Sequence, residues 1–278
     1  MTEANPREVS TPVPGSPCWV ELATENPAVA QDFYRTLFGW EYETRTDGWG
    51  RPYTVATLFG DPVAGLRHHW GPVLDWTPYL ATGDLAGRAK TAQQHGGTVL
   101  ESEHVVPGVG TKTLIEDASG ATAGLCQPHR DWRFAAGMPG MLVWLEFVIR
   151  RATLADRFFG ALFDYGQKQF GDGRYVDYMV WYAGEDSVIG RVRMPEDAPA
   201  NTRPRWIAHF AVDPDVGFDQ TLDLARINGG RLRFKPYVST LGKVAVLADP
   251  LGTRFAIIDP SQAADWDYAS AADDPYDD

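Results

Sequence analysis

PCWVELATENPAVAQDFYRTLFGWEYET, running from Pro17, and MLVWLEFVIRRATLADRFFGALFDYGQKQ, running from Met141, are two versions of one pattern. Trp19 and Trp144 stand 125 residues apart, as do Glu21 and Glu146, Phe33 and Phe158, Leu37 and Leu162, and Phe38 and Phe163. Pairs that match at one constant offset mark an internal duplication. Each stretch opens on an apolar strand, breaks at polar residues and continues with apolar positions at helical spacing. In the first copy Thr24 or Asn26 can cap the helix, Pro27 fits its first turn and Gly39 its exit. In the second, Thr153 is the expected cap and Gly166 the stop.

The downstream halves match as well. WTPYLATGDLAGRAKTAQQHGGTVL, from Trp76, pairs with WIAHFAVDPDVGFDQTLDLARINGGRL, from Trp206. Asp117 and Asp249, and Gly120 and Gly252, are 132 apart. Asp84 is expected to start the third helix and Asp213 or Asp215 the fourth, with Gly96-Gly97 and Gly229-Gly230 at their ends. The chain thus reads as strand, helix and about three strands, taken four times. Two such units make a copy, because a single helix–sheet unit leaves one sheet face to be covered. The fold class is α+β, with tandem βαβββ units in two modules, 14–128 and 138–260. The stretch from Gln127 to Pro139 reads as linker, and the termini, 1–13 and 262–278, read as disordered tails.

The 278-residue chain is 44% hydrophobic and 22% charged, ordinary for a folded protein of two modest domains. Its net charge is −12, and the six aspartates after Ala264 supply half of it. An acidic surface argues against nucleic acid as a partner. No apolar run reaches membrane-spanning length, so no membrane partner is expected. The two cysteines, Cys18 and Cys126, far apart and without an export signal, suggest a reduced, cytoplasmic setting. The oligomeric state is not legible.

The pattern of apolar strand, polar break and FY..LFGW, followed by D..G and a further apolar strand, resembles the vicinal-oxygen-chelate superfamily. That family holds glyoxalases, bleomycin-resistance proteins and dioxygenases. The two-module layout is similar to its actinobacterial glyoxalase-like subgroup. The resemblance implies one metal ligand on each of four strands of a module, typically two His and two Glu. Counted onto this chain, the first position falls on Trp19 and Trp144 and the last on Gly124 and Ala256. The second falls near Leu66 and near Gly190, and the third on Thr77 or Pro78 in copy one and His209 in copy two. One histidine out of eight positions is not a metal site, so no metal and no other cofactor is expected.

What remains is a candidate site of other chemistry. Residues two apart on a strand share a face, so Trp19 lies beside Glu21 and Trp144 beside Glu146. By the resemblance, that face lines the cup of each module. A carboxyl group against apolar walls can serve as acid, base or acceptor. The plain alternative is a glutamate held by an arginine or a backbone group. His209, with Tyr79 at the comparable place in copy one, is a candidate acid–base partner of Glu146, or simply a hydrogen-bonded pocket residue. Glu146, His209 and Glu21 are therefore the candidate catalytic residues. Trp19, Trp144, Tyr79, Trp206 and His68 are the candidate substrate-binding ones, though His68 also reads as an exposed strand end. The sequence favours binding of a small hydrophobic or aromatic metabolite without the family metal. The competing reading is a metal-independent or unusual enzyme (lyase, isomerase, hydroxylase or dioxygenase-like) using Glu146 and His209. Copy two is the favoured copy, having an imidazole where copy one has none.

Overall fold

The computed structural model describes residues 11–69, 75–173 and 176–264. Most of the two termini expected to be disordered lies outside the described residues.

The first unit is β1 (Pro17–Thr24), α1 (Pro27–Phe38), β2 (Glu41–Thr46), β3 (Pro52–Leu58) and β4 (Asp61–His68). The second is β5 (Trp76–Ala81), α2 (Leu85–Gln94), β6 (Thr98–Val106), β7 (Gly110–Glu116) and β8 (Thr122–Pro128). The third is β9 (Leu142–Ile149), α3 (Ala152–Phe163), β10 (Gly166–Phe170), β11 (Tyr178–Ala183) and β12 (Asp186–Arg193). The fourth is β13 (Arg205–Ala211), α4 (Phe218–Ile227), β14 (Arg231–Leu232), β15 (Tyr237–Ser239), β16 (Gly242–Ala248) and β17 (Arg254–Asp259).

Local chemistry sets the helix ends in the first copy. Asn26 caps α1 by accepting from the Val29 amide, and Gly39 closes it in the left-handed region, with φ 74°. Asp84 caps α2 through the Gly87 amide. The second copy differs from expectation. Arg151, not Thr153, precedes α3, which ends on a left-handed Asp164. Gly217, not Asp213 or Asp215, precedes α4. Neither helix has a side-chain cap, so packing of the buried face holds them instead.

Within each copy the units join through their first strands. β1 pairs antiparallel with β5 at the centre of an eight-stranded sheet ordered β2-β3-β4-β1-β5-β8-β7-β6. β9 and β13 do the same at the centre of a nine-stranded sheet. The first sheet curls until opposite edges meet: the Gly48 amide, in the β2–β3 turn, donates to the Val105 carbonyl of β6 at 2.7 Å. Each sheet so gains a helix-bearing face and a cup face.

The helix-bearing faces of both copies share one core. Val20, Leu22, Phe33, Leu145, Phe147 and Phe158 all belong to it. Trp76 and Trp206 sit in this shared core, not in a cup. Trp206 stacks on Phe147 at 4.3 Å and donates to the Thr122 carbonyl at 2.8 Å, across the two copies. Trp76 donates to the Tyr34 hydroxyl, which donates in turn to Asp249 at 3.3 Å. The cup faces hold two separate smaller clusters.

Asp75 sits close to this junction. Burial raises its carboxyl from 3.8 to about 7, with Arg254 opposing and Asp249 adding to the rise. A folded-state value above the unfolded one means stability is lost as pH climbs from 3.8 toward 7. Asp75→Asn is expected to raise the thermal midpoint at pH 7.5 and to flatten that fall. Parallel melting curves of the two proteins from pH 4 to pH 8 would contradict it.

Candidate functional site

Two residues of β1 and two of β9 build the floors of the cups. In cup one the Trp19 indole donates to the Tyr53 hydroxyl at 2.7 Å, and that hydroxyl donates to Glu21 at 2.7 Å. The Tyr79 hydroxyl donates to the other Glu21 oxygen at 3.2 Å. Cup two repeats the first part of this chain. The Trp144 indole donates to Tyr178 at 2.9 Å, and Tyr178 donates to Glu146 at 3.1 Å. Tyr53 and Tyr178 were not singled out from sequence, although they too stand 125 apart, the offset of the Trp and Glu pairs.

The cups then diverge. Glu21 contacts two cations in cup one: Lys112 on β7 forms a close ion pair, and the Arg67 guanidinium lies 2.7 Å away. Burial alone would push the Glu21 carboxyl up. The charges of Lys112 and Arg67, with hydrogen bonds from Lys112 and Tyr53, outweigh it and hold the group at about 2. The strand register shows what replaces those cations in copy two. Arg67 is opposite Ala23, and its counterpart Val192 is opposite Val148. Lys112 is opposite Cys126, and its counterpart Val244 is opposite Ile258. Tyr79 pairs with Trp19, and its counterpart His209 with Trp144.

His209 is 1% exposed, and its Nε2 lies 3.2 Å from Glu146 Oε2. Among the described residues neither ring nitrogen has a hydrogen-bond partner. A buried polar group without a partner costs roughly 1–3 kcal/mol. The second sheet also holds a buried aliphatic cluster of Val148, Val192, Ile207, Val244, Val246 and Ile258, and Val148 and Ile207 stand two residues along their strands from Glu146 and His209, on the same sheet face.

The linker covers only the first cup. Trp132 donates its indole N–H to the Cys18 carbonyl at 2.9 Å. Phe134 meets Trp19 edge-on at 5.6 Å, and the Ala135 amide donates to Pro62 at 2.8 Å. Under that cover Trp19, Glu21, Tyr53, Tyr79 and Lys112 are all fully buried. Cys18 and Cys126 form part of the same wall as free thiols. Burial first, and contact with Cys126 next, push the Cys18 thiol well up, which disfavours the reactive thiolate.

Of the residues expected from sequence, Trp19, Glu21 and Tyr79 meet in cup one, and Trp144, Glu146 and His209 meet in cup two. Trp206 and His68 join neither. Trp206 faces the shared core. His68 is exposed at the end of β4, with Nε2 3.1 Å from the Glu25 carbonyl. Strand alternation sends its neighbour Arg67 into the cup instead. Arg191 lies on the helix-bearing side, bound to Asp156 at 3.1 Å and Asp177 at 2.6 Å. These three residues line an open groove of about 750 Å³ beside α3, away from both cups.

The residues at the family's ligand positions do not fit a metal. The register puts Tyr79, not Thr77 or Pro78, opposite Trp19, and Gly65, not Leu66, opposite Glu21. A Cβ on Gly65 would overlap the Tyr53 hydroxyl, and one on Gly190 would overlap the Tyr178 hydroxyl. A Cβ on Gly124 would run into the Tyr79 ring. Aromatic rings thus take the space where metal-binding side chains would reach in. Among the described residues no three His, Cys, Asp or Glu side chains converge on one point. Gly124→Ala is expected to cost about 1–3 kcal/mol, the usual range for overpacking a rigid wall. Urea unfolding midpoints equal to those of the parent protein would show that the ring can give way.

Among the described residues no helix is long and apolar enough to cross a membrane. No protein-family model matches the chain. Among curated proteins, Putative glyoxylase CFP32 of Mycobacterium tuberculosis is 30% identical over 257 residues, covering 89% of this chain and 95% of that one. Anthracycline biosynthesis protein DauV of Streptomyces sp. strain C5 is 28% identical over 278 residues, covering 94% and 97%. Among solved structures, the Mn(II)-bound glyoxalase of Novosphingobium aromaticivorans shares the fold at a TM-score of 0.62 and 14% identity, over 92% of this chain and 85% of that one. With its four βαβββ units paired into two cups, the chain belongs to the glyoxalase-like proteins of the vicinal-oxygen-chelate superfamily.

Proposed function

We propose that this protein binds a small, mainly apolar, ring-bearing metabolite in cup two, and that it does so without the family metal. The observation that carries this reading is His209. Its ring is buried, among the described residues neither nitrogen has a hydrogen-bond partner, and its sheet face carries a buried aliphatic cluster. A ligand with a hydroxyl or keto oxygen on an apolar ring would supply the missing partner and fill the apolar wall. Cup one offers no such opening, because Glu21 is neutralised from within and Trp132 and Phe134 lie across it. DauV carries the name of an anthracycline biosynthesis protein. Transferred to this chain, that name supports a planar, hydroxylated aromatic as ligand.

A second reading is favoured by the 3.2 Å approach of His209 to Glu146. His209 would take a proton from a carbon or oxygen acid beside a carbonyl, and Glu146 would hold the imidazolium that forms. Proton transfer of the isomerase or lyase kind needs no more than this pair.

The test is calorimetric titration with 1,4-dihydroxyanthraquinone as probe. Wild-type protein is expected to bind it, and His209→Ala to lose that binding. Equal affinity in the two proteins would remove His209 from the site.

A further inference from the structure

In cup one the hydrogen-bond chain closes within the protein. The Glu21 carboxylate can only accept, and Tyr53, Tyr79 and Lys112 donate to it. Lys112 also donates to the Tyr79 hydroxyl at 3.3 Å, so that hydroxyl gives one hydrogen bond and receives one. Cup two changes the pieces. Valines stand in the places of Arg67 and Lys112, and His209 stands in the place of Tyr79. A hydroxyl turns to suit its neighbours. A neutral imidazole has one N–H and one lone pair, on fixed sides of the ring.

Glu146 decides which side is which. Its Oε2 lies 3.2 Å from His209 Nε2, and its Oε1 accepts from Tyr178 at 3.1 Å. A ring N–H that faces a carboxylate oxygen is attracted to it, and a lone pair is repelled. Nε2 therefore carries the hydrogen of the neutral ring, and Nδ1 carries the lone pair. Nδ1 is buried, and among the described residues it has no partner. What it lacks is a donor. In register, His209 sits between Trp144 and Ala256. The Trp144 indole N–H is already given to Tyr178, and alanine has none to give.

We infer that His209 sets the specificity of cup two by accepting, through Nδ1, a hydrogen bond from a ligand hydroxyl. The cup then selects phenols and enols over ethers and ketones of similar shape. This rests on the binding of a ring-bearing metabolite in cup two, and narrows its polar group from hydroxyl or keto to hydroxyl. A carbonyl oxygen brought to Nδ1 sets lone pair against lone pair. An ether oxygen does the same and leaves the buried nitrogen unpaired. Trp144, beside His209 and only partly buried, leaves aromatic surface for the aryl ring that carries the hydroxyl.

Two measurements on the full chain at pH 8, where an ordinary imidazole is neutral, test this. The first needs no ligand. Nitrogen NMR of ¹⁵N-histidine-labelled protein, with His209 assigned by its loss in His209→Phe, reads the tautomer. A pyrrole-type Nε2 and a pyridine-type Nδ1 are expected. A pyrrole-type Nδ1 overturns the inference. The second is calorimetric titration with 2-naphthol, 2-methoxynaphthalene and 2-acetylnaphthalene. The naphthol is expected to bind at least about tenfold more tightly than the ether or the ketone. That gap should close to within about twofold in His209→Phe and in His209→Leu, a smaller second variant, because both remove the acceptor. Equal affinities in the unmutated protein overturn the inference and leave the proposed function standing, and so does a gap that persists in both folded variants. If none of the three probes binds, nor 1,4-dihydroxyanthraquinone, the proposed function falls and takes the inference with it.

Discussion

His209→Ala and Glu146→Gln are each expected to weaken binding of 1,4-dihydroxyanthraquinone by at least about tenfold, while Glu21→Gln leaves it within about twofold. The size follows from the chemistry of a buried imidazole. A neutral hydrogen bond to it contributes roughly 0.5–1.5 kcal/mol and a charge-assisted one roughly 1.5–3, and each 1.4 kcal/mol is tenfold in affinity. His209→Ala removes both the partner and part of the apolar wall, so its effect should be the larger. Glu146→Gln keeps the volume and an acceptor for Tyr178 but removes the charge that faces His209 at 3.2 Å. Titration calorimetry, with circular dichroism to show that each variant is folded, reads the outcome. If Glu21→Gln is the damaging change and the copy-two variants bind normally, the cups have been assigned the wrong way round. If all three bind normally and stay folded, neither cup is used.

The largest loss of stability should come from the other cup. Glu21→Gln and Lys112→Met are each expected to cost about 3–5 kcal/mol, the range for removing one partner of a buried ion pair. Either change leaves charge behind a cover of Trp132 and Phe134. Arg67 softens the second change by remaining on Glu21, at 2.7 Å. The double variant should be less destabilised than the sum of the two, with a coupling of roughly 0.5–3 kcal/mol. Acid should act on the same group. The Glu21 carboxyl is held at about 2 in the fold against an ordinary 4.5, so its contribution is complete above 4.5 and is lost as pH falls toward 2. That difference amounts to roughly 3 kcal/mol at 1.36 kcal/mol per unit. Urea unfolding at pH 7 and at pH 3 should therefore separate wild type from Glu21→Gln strongly at pH 7 and weakly at pH 3. A gap that does not close with acid would mean the carboxylate is not what Lys112 and Arg67 stabilise.

Several features were readable because they repeat or alternate along the chain. The offset of 125 gave the duplication, and the period of two put Trp19 with Glu21 and Trp144 with Glu146. The same offset held Tyr53 and Tyr178, but tyrosines in short strands drew no notice without a reason to expect a hydroxyl beside each glutamate. Arg67 and Lys112 carried no such signal. They sit 46 and 91 residues from Glu21 in sequence, and only the curling of the sheet brings them to one carboxylate.

Trp206 and His68 show the opposite failure. An aromatic ring on a strand and a histidine at a strand end look like pocket residues until the face is known. Which face a strand presents depends on its register with a partner, and a slip of one residue reverses it. The bulges at Cys18 and Val143 are such slips.

Sequence alone determined the family and the repeated unit, because these depend on residue identity and spacing. Tertiary structure alone decided which cup is closed. Glu21 and Glu146 occupy equivalent positions in equivalent strands, and nothing near either one distinguishes them. The difference comes from cations on other strands and from the chain that happens to follow β8. Those contacts bridge distant parts of the sequence, so they exist only once the sheet has curled and the linker has crossed it.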